Sequence, residues 1–367
     1  MKNALILHGT DGNSQENWFP WLQKKLEDLG YQVWTPDLPD AHKPNLQKYN
    51  EHISKNSDFE INKETIIIGH SSGAVAIFGL LASLPEQVRV NACYLVGSFK
   101  NDLEWDALSD LFLVPFNFKK IKKYSKYWYF IHSDNDPYCP LEHAQFLRKQ
   151  IGGELIVLPG QKHFSVGAYG DYYRKFPFLY HLIAGDAMKP EIVIELYQEM
   201  KKQGVTLWID GGWGVDALLK KQTRQHSDLD VVIQKKDLGK LDDYLKKEGF
   251  FEIIRDDSSP YNYVLGNKEG LFVDIHVIEL DEKGNGIYGP VKNGLMYKSE
   301  ALLGRGEIHG FKVQCISPEW SIKYHSGYEL RESDYSDVLA LCKTFNIEIP
   351  IEYRKVASLG MISLSEK

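Results

Sequence analysis

Thr65-Ile66-Ile67-Ile68-Gly69-His70-Ser71-Ser72-Gly73-Ala74-Val75-Ala76-Ile77-Phe78-Gly79-Leu80-Leu81 decides the fold of the first half of this chain. A short β-branched run over 65–68 predicts a buried strand, and the apolar run over 73–84 predicts a helix. Between them, Gly69-His70-Ser71-Ser72-Gly73 has the form G-x-S-x-G. In a strand–turn–helix context this pattern projects a serine from the top of a sheet. The glycines permit the tight turn, and the N–H of Ser72, at the helix start, then faces a developing oxyanion.

Outward from this turn, apolar runs at 4–7, 31–35, 92–96, 128–132 and 154–158 read as further strands, with helical patterns such as 18–29 between them. Strands alternating with helices indicate a parallel sheet covered by helices on both faces. Sites in such sheets gather at the carboxyl ends of the strands. A serine hydroxyl is a weak nucleophile until a base takes its proton, so a histidine and an orienting carboxylate should follow. His132-Ser133-Asp134-Asn135-Asp136-Pro137 closes one strand, and Gln161-Lys162-His163-Phe164 lies just beyond the last. Asp136 is the preferred acid and Asp134 its rival; His163 is the base. His8-Gly9-Thr10 follows the first strand, where Thr10 is placed to supply a second oxyanion donor. The competing reading makes Ser71 a mere glycine turn and His163 a surface histidine. Three partners in order at three strand ends favour the catalytic one.

These residues resemble the small, lidless serine hydrolases of the retinoblastoma-binding-protein type, a branch of the α/β-hydrolase superfamily. The shared stretches are Ile6-Leu7-His8-Gly9, Gly69-His70-Ser71-Ser72-Gly73, Ser133-Asp134-Asn135-Asp136-Pro137 and Lys162-His163-Phe164. The resemblance implies a three-layer α/β sandwich over 1–186, a Ser71–His163–Asp136 triad and an ester or amide substrate. Its Asp-Pro pair carries the acid onto Asp136.

The run Ala184-Gly185-Asp186-Ala187-Met188-Lys189-Pro190 punctuates the chain, and Pro190 suits the first turn of a new helix over 191–202. A strand (206–209), a glycine turn, a helix, a strand (229–233) and a helix (238–247) follow. Two or three more strands, a helical C-terminal region to 350 and a tail over 351–367, loosely held from Ala357, follow. Leu207-Trp208-Ile209-Asp210-Gly211-Gly212-Trp213-Gly214-Val215-Asp216 sets paired glycines at a strand end. Backbone N–H groups at Gly211 and Gly212 can approach phosphate closely. In Thr223-Arg224-Gln225-His226-Ser227-Asp228-Leu229-Asp230, the carboxylates Asp228 and Asp230 are two apart on a strand and share a face. Leu271-Phe272-Val273-Asp274-Ile275-His276 supplies Asp274 from another strand. Three convergent carboxylates suit Mg²⁺ holding a triphosphate, with Arg224 adding positive charge. A solvated strand face also carries alternate acids; the glycines and Asp274 argue against that simpler account. Asp216 and His226 are left open between structural and functional roles.

These stretches, with Cys315-Ile316-Ser317 and His325-Ser326-Gly327-Tyr328-Glu329-Leu330, resemble the nucleotidyltransferase superfamily. The likeness, over about 190–345, is to its antibiotic-modifying members of the lincosamide type and the related aminoglycoside 2″ type. It implies an α+β domain with a mixed sheet over 187–350. It also implies Mg²⁺ bound by Asp228, Asp230 and Asp274, an NTP (ATP) co-substrate over Gly211 and Gly212, and Asp274 as a base near the acceptor hydroxyl. Lys323, His325, Tyr328 and Arg331 are further candidate contacts.

With 367 residues there is room for two domains, each with its own core. The net charge of −7 excludes a general nucleic-acid binder, which needs a basic face. The partners expected are therefore an NTP and a small-molecule acceptor. Cys93, Cys139, Cys315 and Cys342 form no CxxC and no zinc-like pairing with histidine, which suits a reducing compartment. No apolar run approaches the ~18 residues a membrane span needs, and the start of the chain is too little apolar for a signal peptide. The cytoplasm is the expected location. The whole reads as a fusion of a serine hydrolase with a nucleotidyltransferase. The alternatives are transfer to a metabolite, protein or RNA end, a first half that binds without turnover, and a second half reduced to a nucleotide sensor.

Overall fold

Asn3–Leu7 and Ile66–His70 are buried at every residue and lie side by side in a parallel sheet. Strands covered on both faces carry continuous apolar runs rather than alternation, which explains their composition. The structure is a computed structural model that describes residues 1–253, 258–289, 296–326, 330 and 332–357. The chain forms two compact units that divide between Tyr180 and His181. That division falls six residues before the expected boundary, inside the helix Pro177–Ala184. Gly185, with φ 63°, follows the last residue of this helix.

The first unit holds β1 (Asn3–Leu7), β2 (Gln32–Trp34), β3 (Ile66–His70), β4 (Val90–Val96), β5 (Ser125–Ser133) and β6 (Glu154–Leu158). They pair in the order β2-β1-β3-β4-β5-β6, all parallel. This is the three-layer α/β arrangement expected. The helix Ser72–Ser83 after β3 is buried through Leu81. Its approach to β1 is so close that a β-carbon at Gly73 would lie 2.3 Å from the Leu7 carbonyl oxygen. Only glycine fits that contact, which sets the serine turn directly over the sheet.

The second unit holds β7 (Leu207–Ile209), β8 (Asp228–Gln234), β9 (Phe251–Ile253), β10 (Asn262–Gly266) and β11 (Phe272–Leu280). β12 (Gly286–Tyr288), β13 (Met296–Tyr297), β14 (Gly304–Ile308) and β15 (Phe311–Cys315) follow. The sheet order is β13-β12-β11-β8-β7-β15-β14, with β10 pairing both β11 and β9. β8 and β11 run parallel while β7 opposes β8, so the sheet is mixed as expected. More strands follow the helix Leu238–Lys247 than the two or three expected. Several are two or three residues long, too short for alternation to register in sequence.

The first residues of the expected tail are helical. Residues Ile351–Ala357 form a helix, and Tyr353 is fully buried in the core of the second unit. Its hydroxyl donates to the His325 carbonyl oxygen. Deleting so large a buried aromatic side chain costs about 3–5 kcal/mol. Tyr353→Ala should therefore lower the melting temperature of the second unit sharply in calorimetry; an unchanged transition would contradict this packing. All four cysteines are buried free thiols. Among the described residues no helix is long and apolar enough to cross a membrane.

Candidate active sites

In the first unit, Ser71 leaves β3 with φ 56° and ψ −123°, a conformation rare for residues with a side chain. Such backbone persists only where its surroundings over-determine it. Here the Ser71 N–H donates to the Val96 carbonyl at 2.8 Å, and the helix begins at once with Ser72. The Thr10 hydroxyl donates to the Ser72 hydroxyl at 2.9 Å, joining the loop after β1 to this turn.

The His163 ring faces Asp136, with Nδ1 2.7 Å from Oδ2. The other carboxylate oxygen of Asp136 accepts the N–H groups of Tyr138 (2.9 Å) and Cys139 (3.0 Å). Burial alone would raise the Asp136 pKa, but the His163 hydrogen bond and charge together with these N–H groups bring it below its ordinary value. The rival acid points elsewhere, and Asp134 accepts from the Gly160 N–H at 2.7 Å. With Ser133 accepting from Gln161 N and Asn135 from Lys162 N, it splints the loop that carries His163. His70, next to the serine, holds the same loop through Nε2 and the His163 carbonyl, 2.8 Å apart. Burial lowers its pKa to about 3, so this ring stays neutral and donates. Trp18 Nε1 adds a bond to the Phe164 carbonyl at 3.0 Å. His70 and Trp18 thus both hold the loop that carries His163, contacts that no spacing in the sequence marks.

The depressed Asp136 pKa makes a signed prediction. Its stabilising contribution is present above the ordinary value of 3.8 and is lost as pH falls through its lower folded value. The stability gap between the wild type and Asp136→Asn should be widest near neutrality and close below about pH 4. Chemical denaturation across pH checks this, and a gap that widens in acid contradicts it.

In the second unit, parallel register sets Asp230 opposite Asp274 on β8 and β11. One ligand atom from each of Asp230, Asp274 and His276 lies within 4.8 Å of the other two. His276 belongs to the same motif, and its place two residues after Asp274 puts it on the same strand face. Burial favours its neutral form, yet Asp230, Asp274 and Asp210 outweigh that and raise its pKa to about 9. Burial also raises the Asp210 carboxyl, with His276 pulling it down and Asp230 pushing it up. So dense a set of half-buried carboxylates fits a hard divalent cation. Asp228 lies outside that cluster, opposite Phe272 at the start of β8, where Ser227 donates to it at 3.3 Å.

Gly211 and Gly212 open the helix Gly211–Leu219, with the Asp210 side chain accepting from Gly211 N. A β-carbon at Gly211 (φ 54°) would sit 2.0 Å from an Asp230 oxygen, and one at Gly212 would sit 2.5 Å from Arg224 Nη2. The glycines are therefore required by the Asp230 carboxylate and Arg224, whichever ligand they meet. The Arg224 guanidinium is itself paired with Asp337, Nη2 to Oδ2 at 3.0 Å. Asp337 is buried and lies 113 residues away, beyond the reach of a local motif. Asp216 and His226 are buried and bond to each other at 2.5 Å, and Asp216 also takes the Thr223 N–H and hydroxyl. Lys323 stacks over Trp320 and His325 is buried against the Ser321 carbonyl; Tyr328 and Arg331 fall outside the described residues.

Residues 192–341 match the family model described as aminoglycoside-2″-adenylyltransferase, and residues 4–182 match the one described as serine hydrolase. The lincosamide resistance protein of Staphylococcus haemolyticus is 32% identical over 146 residues, covering 40% of this chain and 88% of its own. Serine hydrolase RBBP9 of Rattus norvegicus is 28% identical over 167 residues, covering 44% of this chain and 87% of its own. The solved structure of the ydeN gene product from B. subtilis is 25% identical, with a TM-score of 0.47, covering 50% of this chain and 97% of its own.

Proposed function

From a chain that belongs to the aminoglycoside-2″-adenylyltransferase family in its C-terminal part and to the serine hydrolase family in its N-terminal part, we propose a bifunctional enzyme. The C-terminal unit transfers a nucleoside monophosphate from ATP to a hydroxyl of a lincosamide- or aminoglycoside-like small molecule. The N-terminal unit hydrolyses an ester or amide. The observation that carries the first activity is the register placing Asp230 beside Asp274 and His276, next to the Gly211–Gly212 turn.

Asp230 and Asp274 would hold Mg²⁺, with Asp228 completing the set from the start of β8. The cation would offset triphosphate charge and polarise the reacting phosphorus. Asp274 accepts the proton of the acceptor hydroxyl as it attacks the α-phosphorus, and pyrophosphate departs. The Gly212 N–H would bind a phosphate oxygen, whereas the Gly211 N–H is held by the Asp210 carboxylate at 2.9 Å. Arg224, held by Asp337 against Gly212, adds positive charge on the same side.

In the other unit, Ser71 attacks the carbonyl while His163 takes its proton, and Asp136 keeps the ring in the tautomer that presents a free Nε2. The Ser72 N–H and the Thr10 loop face the oxyanion. Acceptor-dependent pyrophosphate release tests the transferase, and covalent labelling of Ser71 by a fluorophosphonate tests the hydrolase. Release on no drug of either class would move the acceptor to a metabolite, protein or RNA end. No labelling would make the first unit a binding module.

A further inference from the structure

We propose that Asp136, Cys139 and His163 form an inhibitory site for a borderline-soft divalent cation of the zinc class, which switches the hydrolase off. The switch rests on the hydrolase reading above, whereas the metal site does not. One carboxylate oxygen, the Cys139 sulfur and one His163 ring nitrogen all lie within 4.8 Å of one another. Sequence spacing hides this set, because Cys139 and His163 are 24 positions apart and on different strand-end loops. The Asp136–Cys139 turn draws the thiol in: the Cys139 N–H donates to Asp136 Oδ1 while Oδ2 meets His163 Nδ1.

The donor set is diagnostic. Oxygen, thiolate sulfur and imidazole nitrogen together suit zinc, whereas Mg²⁺ and Ca²⁺ take oxygen ligands. Zinc–ligand bonds of about 2.0–2.3 Å put tetrahedral ligand atoms roughly 3.3–3.8 Å apart. Ligation therefore asks Asp136 Oδ2 and His163 Nδ1, now 2.7 Å apart, to open by about half an ångström or more, and the Cys139 sulfur, within 4.8 Å of both ligand atoms, to move in by no more than about 1.5 Å. Carboxylate and thiolate together neutralise a dication, which a site as buried as Asp136 and Cys139 requires; burial and the Asp136 charge hold the free Cys139 thiol protonated, so its ionisation is coupled to the arrival of the metal.

The inhibition follows from proton accounting on one ring. In the working enzyme Nδ1 carries the proton and donates it to Asp136, so the Nε2 lone pair is free to take the Ser71 proton. A cation bonded to Nδ1 occupies that lone-pair site. The single proton of the neutral imidazole must then sit on Nε2, making Nε2 a donor. Ser71 keeps its proton and stays a weak nucleophile. The Cys139 S–H bond breaks as the metal–sulfur bond forms, and its proton goes to solvent; nothing is oxidised or reduced.

The test uses the full chain with Co²⁺ as an optical probe. Thiolate ligation gives a near-ultraviolet charge-transfer band that binding at the Asp230–Asp274–His276 cluster cannot give. The band should appear in the wild type and vanish in Cys139→Ala and in His163→Ala. Cys139→Ser serves if the alanine variant does not fold, as judged by circular dichroism. In parallel, Zn²⁺ should slow fluorophosphonate labelling of Ser71 by at least about tenfold, EDTA should reverse it, and Cys139→Ala should label at the same rate with or without zinc. Absence of the band in the wild type, its persistence in both variants, or equal zinc inhibition of Cys139→Ala overturns the proposal. A band that behaves as expected in a protein whose Ser71 never labels upholds the metal site and removes the hydrolase reading instead.

Discussion

Asp230→Asn is expected to lower nucleotidyl transfer by about 10³-fold or more, with the melting temperature of the second unit within a few degrees of the wild type. Losing a carboxylate that positions a catalytic cation forfeits several kcal/mol of transition-state stabilisation, and each 1.36 kcal/mol is a factor of ten. The fold should suffer little, because Asp230 is partly exposed and its attraction to His276 is offset by its repulsion of Asp210. Asp274→Asn should match it, since the two strands hold these residues in one register. Asp228→Asn should cost less, because Asp228 stands outside the close cluster. Steady-state kinetics at saturating ATP and Mg²⁺ order the three variants. If Asp230→Asn keeps a tenth of wild-type activity, the cluster is not the catalytic centre.

Ser71→Ala should abolish ester or amide turnover by about 10⁴- to 10⁶-fold, the range for removing an activated serine from its triad. Fluorophosphonate labelling should vanish with it. Replacing the hydroxyl leaves the Ser71 N–H bond to Val96 in place, so the turn is expected to survive. Alanine still inherits the positive φ, and any loss of stability should stay at the scale of local backbone strain, of order 1–3 kcal/mol already borne by the serine. Nucleotidyl transfer should be unchanged in the same preparation, which makes it an internal check on folding. Residual hydrolysis above a hundredth of wild type would point to a nucleophile other than Ser71.

Much of this is legible in the sequence because both sites are built at strand ends, where glycines and charged residues interrupt apolar runs. Gly69–Gly73 and Asp136 mark turns, and Asp228-Leu229-Asp230 alternates on a strand, so local periodicity suffices to find them. The choice of Asp136 over Asp134 is harder. Both flank Asn135, and only the direction of the loop sends one carboxylate to His163 and the other to Gly160 N. Asp337 pairs with Arg224 across 113 positions and Cys139 comes near His163 only through tertiary packing, so no spacing announces either. His276 sits in plain view within its motif, but strand alternation alone does not tell a ligand from a satisfied imidazole. The helix Ile351–Ala357 carries little sequence signal because it is short and follows Pro350, and a single buried residue such as Tyr353 gives no periodicity.

The most direct test of a bifunctional enzyme with an antibiotic-modifying half is intact-mass spectrometry of lincosamide and aminoglycoside panels incubated with the protein, Mg²⁺ and mixed NTPs. An Asp230→Asn/Asp274→Asn variant runs alongside. At least one drug should gain the mass of a single nucleoside monophosphate, from ATP, with the wild type and none should with the variant. No gain on any drug, or an equal gain with the variant, would contradict it.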